Sequence, residues 1–99
     1  MKTRLTGPAR QQADRIDRWW RENRQAARDL FARELSEARA LLAETPDVGS
    51  PFTERQGVRV RRLLPPRTHH HVSCEVNRKD DEVTILAVWG APKGRGPKL

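Results

Sequence analysis

Three consecutive histidines, His69-His70-His71, are followed closely by the chain's single cysteine, Cys74, and by Glu75. On a strand, alternation places His69, His71, Ser73 and Glu75 on one face and His70, Val72, Cys74 and Val76 on the other. Two histidines at that spacing can begin a metal site. Only Glu75 is available as a third ligand on their face, so no metal is expected. Beside arginines, the same residues offer a different chemistry. His71 or Glu75 can act as a base, while Arg59 and Arg61 stabilise charge developing on a phosphate. Arg61, His71 and Glu75 are the catalytic candidates for a ribonuclease. Cys74 alternates with valines and reads as a small core residue, not a nucleophile. The sequence holds no P-loop, no G-x-G-x-x-G and no paired-cysteine motif, and no cofactor is expected.

Charge marks a wider surface around these residues. The 99-residue chain has a net charge of +7. Residues 55–67 contain five arginines and no acid, and residues 93–99 contain Lys93, Arg95 and Lys98 and no acid. The remainder is nearly balanced. A concentrated excess of this kind attracts nucleic acid or an acidic protein. The candidate target-binding residues are Arg59, Arg61, Arg62, Arg67, His69 and His71, with Lys93 and Arg95 from the tail.

These side chains need elements to hold them. Lys2 to Thr6 reads as a short first strand. Gly7-Pro8 starts a helix whose apolar face is Ala9, Ala13, Ile16, Trp19 and Trp20, and Asn23 ends it. A second helix is expected from about Gln25 to Glu44, with Ala27, Leu30, Phe31, Leu35, Ala38, Leu41 and Leu42 as its stripe and Thr45-Pro46 as its stop. Residues 46–57 read as a loop. The period then changes to two. Val58 and Val60 are expected to face the helices, with Arg59 and Arg61 opposite. Pro65-Pro66 closes that strand, and another runs from Thr68 to Val76. Asn77 to Asp81 is a polar hairpin connection. The last strand, Val83 to Trp89, is apolar on both faces, as a central strand is, and Trp89 reads as core. The expected fold is a two-layer α+β domain over residues 1–99. Its order is β-α-α-β-β-β, with a helical hairpin on an antiparallel-dominated sheet and residues 93–99 as a basic tail.

That order resembles the RelE/ParE superfamily of toxins from bacterial type II toxin–antitoxin modules. The supporting residues are Trp19-Trp20 with Asn23, the Pro46 to Gly49 turn, Val58-Arg59, and the ending Val83-Thr84-Ile85-Leu86-Ala87-Val88-Trp89-Gly90 with Gly94-Arg95-Gly96-Pro97-Lys98-Leu99. The ending is similar to that of ParE-type sequences. The resemblance implies a first strand beside the last and a cognate acidic antitoxin that wraps the toxin. It implies DNA gyrase as the target, or, in the RelE branch, a ribosome-dependent messenger-RNA endoribonuclease. The third strand carries histidines where the family usually has tyrosines, and the chain has no tyrosine.

Met1-Lys2-Thr3-Arg4 leads into no apolar segment of a secretory signal, and the longest apolar run, Ile85 to Trp89, is far too short to span a bilayer. A lone cysteine fits a reducing compartment. The expected location is the cytoplasm, with no membrane partner.

Overall fold

The computed structural model describes residues 1–90. Strand β1 (Lys2–Leu5) leads into helix α1 (Gly7–Asn23), a 3₁₀ turn (Gln25–Ala27) and helix α2 (Leu30–Glu44). Four strands follow: β2 (Ser50–Arg55), β3 (Val58–Leu63), β4 (His70–Asn77) and β5 (Glu82–Gly90). They form one sheet in the order β1-β5-β4-β3-β2. β1 runs parallel to β5, and every other pair is antiparallel.

Helix α1 starts where its sequence says. Thr6 is the N-cap, and its Oγ1 accepts a hydrogen bond from the Ala9 N–H at 3.2 Å. Pro8 follows in the first turn, where a missing N–H costs nothing. Ala9 and Ala13 are buried, and their small side chains let the helix lie close to β5. The helix also completes the edge of β5 beyond the four residues that β1 covers. Thr6 Oγ1 donates to the Leu86 carbonyl at 3.3 Å, and Gln12 Oε1 accepts from the Val88 N–H at 2.8 Å. Backbone groups that a strand would have paired are paired by side chains of α1.

Between the helices and the sheet lie Leu5, Ala9, Ala13, Phe31, Leu42, Val72, Cys74, Val83, Ile85 and Val88. The β4–β5 register keeps its inward residues together through one irregularity. Ser73 pairs with Ala87 and Cys74 with Ile85, so Leu86 is an extra residue. This bulge reverses the alternation along β5. Val83 and Ile85 point to the helices before it, and Val88 does so after it.

Three elements depart from the sequence expectation by more than one residue. The second helix begins at Leu30, not Gln25; the 3₁₀ turn closed by Ala27 N–H to Arg24 carbonyl (2.9 Å) occupies the gap. The third expected strand begins at His70 instead of Thr68, because His69 has a left-handed φ of 55°. Half of the segment 46–57 is strand β2, not loop. Its residues are exposed except for Phe52, so no apolar alternation marks it, and Pro51 is tolerated because β2 is an edge strand. Gln56 and Gly57 join it to β3 with φ of 53° and 80°, the positive pair that a type I′ hairpin turn requires.

Gly49 fixes the entry to that hairpin. Its φ is 94°, and a Cβ there would stand 2.5 Å from the Arg62 carbonyl oxygen. Its own carbonyl accepts from Arg61 Nη2 at 2.7 Å. Gly49→Ala is expected to destabilise the domain by about 2–3 kcal/mol, read as a lower urea midpoint at unchanged slope. Gly7→Ala is the control, since nothing lies within 4 Å of a Cβ at Gly7.

Candidate functional site

The register decides which residues share the sheet face turned away from the helices. On β4 that face carries His71, Ser73 and Glu75, as alternation predicts. Opposite them on β5 stand Trp89, Ala87 and Thr84. On β3 the assignment is the reverse of the sequence expectation. Val60 pairs with Glu75 and Arg62 with Ser73, so both are on the outer face. Arg61 pairs with Cys74 and Leu63 with Val72, which puts Arg61 on the helix side, and Arg59 shares its parity. The physical reason lies in the sheet's middle. Val60, Ser73, Thr84 and Ala87 are all buried on the outer face. With both faces buried, an apolar residue no longer identifies the side that packs on the helices.

The expected trio is therefore split. His71 and Glu75 stay together, while Arg61 lies across the sheet with Nη2 on the Gly49 carbonyl and a buried Nε. Arg59 is exposed opposite Glu54 on the hairpin. Arg67 and His69 lie in the connection before β4, off the sheet. Lys93 and Arg95 lie outside the described residues.

In place of that trio the outer face has a line of rings. His71 and Trp89 have centroids 5.1 Å apart at 37°, and Trp89 and Phe52 are 5.5 Å apart at 39°. The Arg62 guanidinium sits 5.1 Å over the Phe52 ring. Nearby, Arg55 Nη1 lies 3.7 Å from Glu75 Oε1. Sequence reasoning missed Phe52, which has no periodic neighbours in its edge strand. It also placed Trp89 in the core, because the bulge at Leu86 that turns Trp89 outward leaves no sequence signal.

The inward histidine and cysteine have structural surroundings. The His70 ring stands edge-on to Phe31 at 5.2 Å. Burial pushes the Cys74 thiol up to about 11, against a smaller pull from Arg61, so it is a protonated core thiol at neutral pH. Among the described residues no three His, Cys, Asp or Glu side chains gather as metal ligands.

A positioning residue with no counterpart in the sequence expectation is Glu34, buried on the core side of α2. It accepts from the Arg67 N–H at 2.9 Å, the Thr68 N–H at 2.8 Å and the Thr68 hydroxyl at 2.6 Å. Burial opposes its charge, yet these hydrogen bonds outweigh burial and hold its carboxyl below the usual range. It fastens the connection that delivers the chain into β4. An acid three residues after Phe31 and four before Ala38, in the phase of the apolar stripe, is the signal that could have revealed it.

His70 and His71 are both held below the usual value of 6.5, chiefly by burial; Arg62 adds to the effect at His71. As pH falls through 6.5, the unfolded chain takes up protons that the folded protein resists. Stability is therefore expected to be complete above that pH and to decline below it, until the folded histidines protonate. Urea midpoints between pH 7.5 and 5 measure this decline. His70→Gln is expected to reduce the pH slope.

A helical hairpin on one side of a five-stranded sheet, with the first strand parallel to the last, defines the toxin fold of the RelE/ParE type. Solved structures of toxin–antitoxin systems share it. A chain of the chromosomal ParDE system from P. aeruginosa superposes with a TM-score of 0.69 at 22% identity, over 91% of this chain and 95% of that one. A chain of the intact E. coli RelBE toxin–antitoxin complex superposes with a TM-score of 0.54 at 14% identity, over the same 91% and 95%. Curated protein sequences give no match. The family described as the ParE toxin of type II toxin–antitoxin systems matches residues 3–91, and the chain belongs to that family. No described helix is long and apolar enough to cross a membrane.

Proposed function

We propose that this ParE-type toxin arrests growth by binding DNA gyrase through the outer face of its sheet, and that an acidic cognate antitoxin neutralises it. The observation that supports binding over cleavage is the state of the polar groups on that face. Arg55 is spent on Glu75, Arg62 on Phe52 and His71 on Trp89, while Arg61 lies on the other side. A surface of mutually packed rings and cations suits recognition of a protein better than proton transfer. The net charge of +7 supports an acidic partner. Gyrase places the action in the cytoplasm. Purified toxin is expected to inhibit gyrase supercoiling at micromolar concentration, and unimpaired supercoiling would overturn the target.

A second reading, ribosome-dependent messenger-RNA cleavage, draws on His71, Glu75 and Arg62 sharing one face. It predicts cleaved messages in a translation reaction and their loss in His71→Ala. Intact messages remove it.

A further inference from the structure

A concavity lies away from the outer sheet face, between the C-terminal half of α1 and the adjoining ends of β4 and β5. It is a cleft of about 600 Å³ whose wall includes Ile16, Trp19, Trp20 and His70, with Arg15 at its rim. Trp19 is 46% exposed, an unusual place for so large an apolar ring. It stands edge-on to Trp20 at 5.8 Å, and the Arg24 guanidinium lies over it at 5.2 Å. His70 Nδ1 is buried with no hydrogen-bond partner among the described residues.

The segment that carries the cleft is more basic than the composition of the whole chain implies. Residues 15–28 carry five arginines against two acids. Within this stretch Arg21 pairs with Asp17 at 3.0 Å, whereas Arg15, Arg18, Arg24 and Arg28 enter none of the ion pairs among the described residues. Apolar walls flanked by Arg15 and Arg24 fit a chain segment that carries one bulky apolar side chain between carboxylates. A nucleic acid strand satisfies the arginines, but a face of Trp19 on which a base would stack is already covered by the Arg24 guanidinium.

We propose that the Trp19–Trp20 cleft anchors a bulky apolar side chain of an acidic antitoxin segment, whose neighbouring carboxylates meet Arg15 and Arg24. The proposal rests on the toxin–antitoxin reading and adds the place where the partner is gripped. A buried aromatic anchor inside a charged rim has the anatomy of an interface hot spot.

The test uses the full chain and the protein encoded by the adjacent reading frame, with affinity followed by tryptophan fluorescence. Trp19→Ala is expected to weaken the complex about 30-fold or more. The pair Arg15→Glu and Arg24→Glu is expected to weaken it about tenfold or more at low salt and to flatten its salt dependence. If Trp19→Ala loses its fold by circular dichroism, the arginine pair alone decides. Wild-type affinity in the folded variants overturns the cleft as anchor and leaves the toxin–antitoxin reading standing. Absence of any complex with the wild-type chain overturns both. Displacement of the partner by a mixed-sequence single-stranded oligonucleotide, lost in Trp19→Ala, assigns the cleft to nucleic acid and also overturns the proposal.

Discussion

Glu34→Ala is expected to lower the melting temperature by about 15–30 °C, corresponding to about 3–4 kcal/mol in a domain of this size. The side chain is 4% exposed and holds two backbone N–H groups and a hydroxyl. Deleting it leaves the buried donors of Thr68 without a partner, and an unmade buried hydrogen bond costs more than a made one contributes. Glu34→Gln keeps one acceptor oxygen and is expected to fall between the two. Glu37→Ala, an exposed neighbour on the same helix, is expected to stay within about 0.5 kcal/mol of wild type. Acid adds an independent check. The carboxyl of Glu34 is held low in the folded state, so its stabilisation is present above the usual carboxylate range and is lost as pH falls through the folded value. This acid phase lies below the histidine phase and is expected to shrink in Glu34→Ala, with the smaller part from Glu82, held low by its exposed hydrogen bond from Arg4, remaining. A melt within 5 °C of wild type would mean that the turn before β4 holds itself.

Arg62→Glu is expected to abolish growth arrest on induced expression, while Arg59→Glu leaves it intact. Both arginines belong to β3, three residues apart, but the register sends them to opposite faces. Arg62 stands over Phe52 in the line that continues through Trp89 to His71. Reversing its charge changes the potential of that face and removes a cation–π contact worth about 0.5–1 kcal/mol, too little to unfold the domain. Arg59 is exposed beside the hairpin turn, and its reversal is expected to change stability by less than about 0.5 kcal/mol. Growth curves and thermal melts on the same two variants separate loss of target from loss of fold. Arrest that survives Arg62→Glu and fails in Arg59→Glu would move the target site to the helix side of β3.

What could be read from the sequence follows from how many faces each element buries. Helix α1 buries one, so Ala9, Ala13, Ile16 and Trp20 announce it by spacing alone, while Thr6, Gly7 and Pro8 mark its start. Strand β4 is legible too, since His71, Ser73 and Glu75 alternate strictly with Val72, Cys74 and Val76. Strand β3 lies between a covered inner face and an outer face that buries Val60, and its valines point to the side that the simple rule denies them. Strand β5 contains an extra residue at Leu86, and no residue type there betrays the change of phase that turns Trp89 outward. Strand β2 was unreadable for the opposite reason. It buries almost nothing, so its sequence obeys only the solvent. Glu34 is hidden differently: a polar residue in an apolar stripe looks like an interruption until its donors, which lie more than 30 residues ahead, are in place.

The seam between β1 and β5 bears on how the protein folds. Thr6 and Leu86, which meet there, are 80 residues apart in the chain. Closing a loop of that length costs about 4 kcal/mol of chain entropy before any contact across it forms. Parallel pairing also offers no hairpin shortcut, whereas β2–β3 and β4–β5 can zip locally. The hairpins are therefore expected to form early and the β1–β5 seam late, so folding is expected to be slower than in a helical domain of the same length. Because α1 supplies the missing partners of β5, the helix docks in the same late step. A fragment ending before β5 lacks the strand on which α1 mainly rests, so cooperativity is expected to arise from the pairing of the two most distant parts of the described chain.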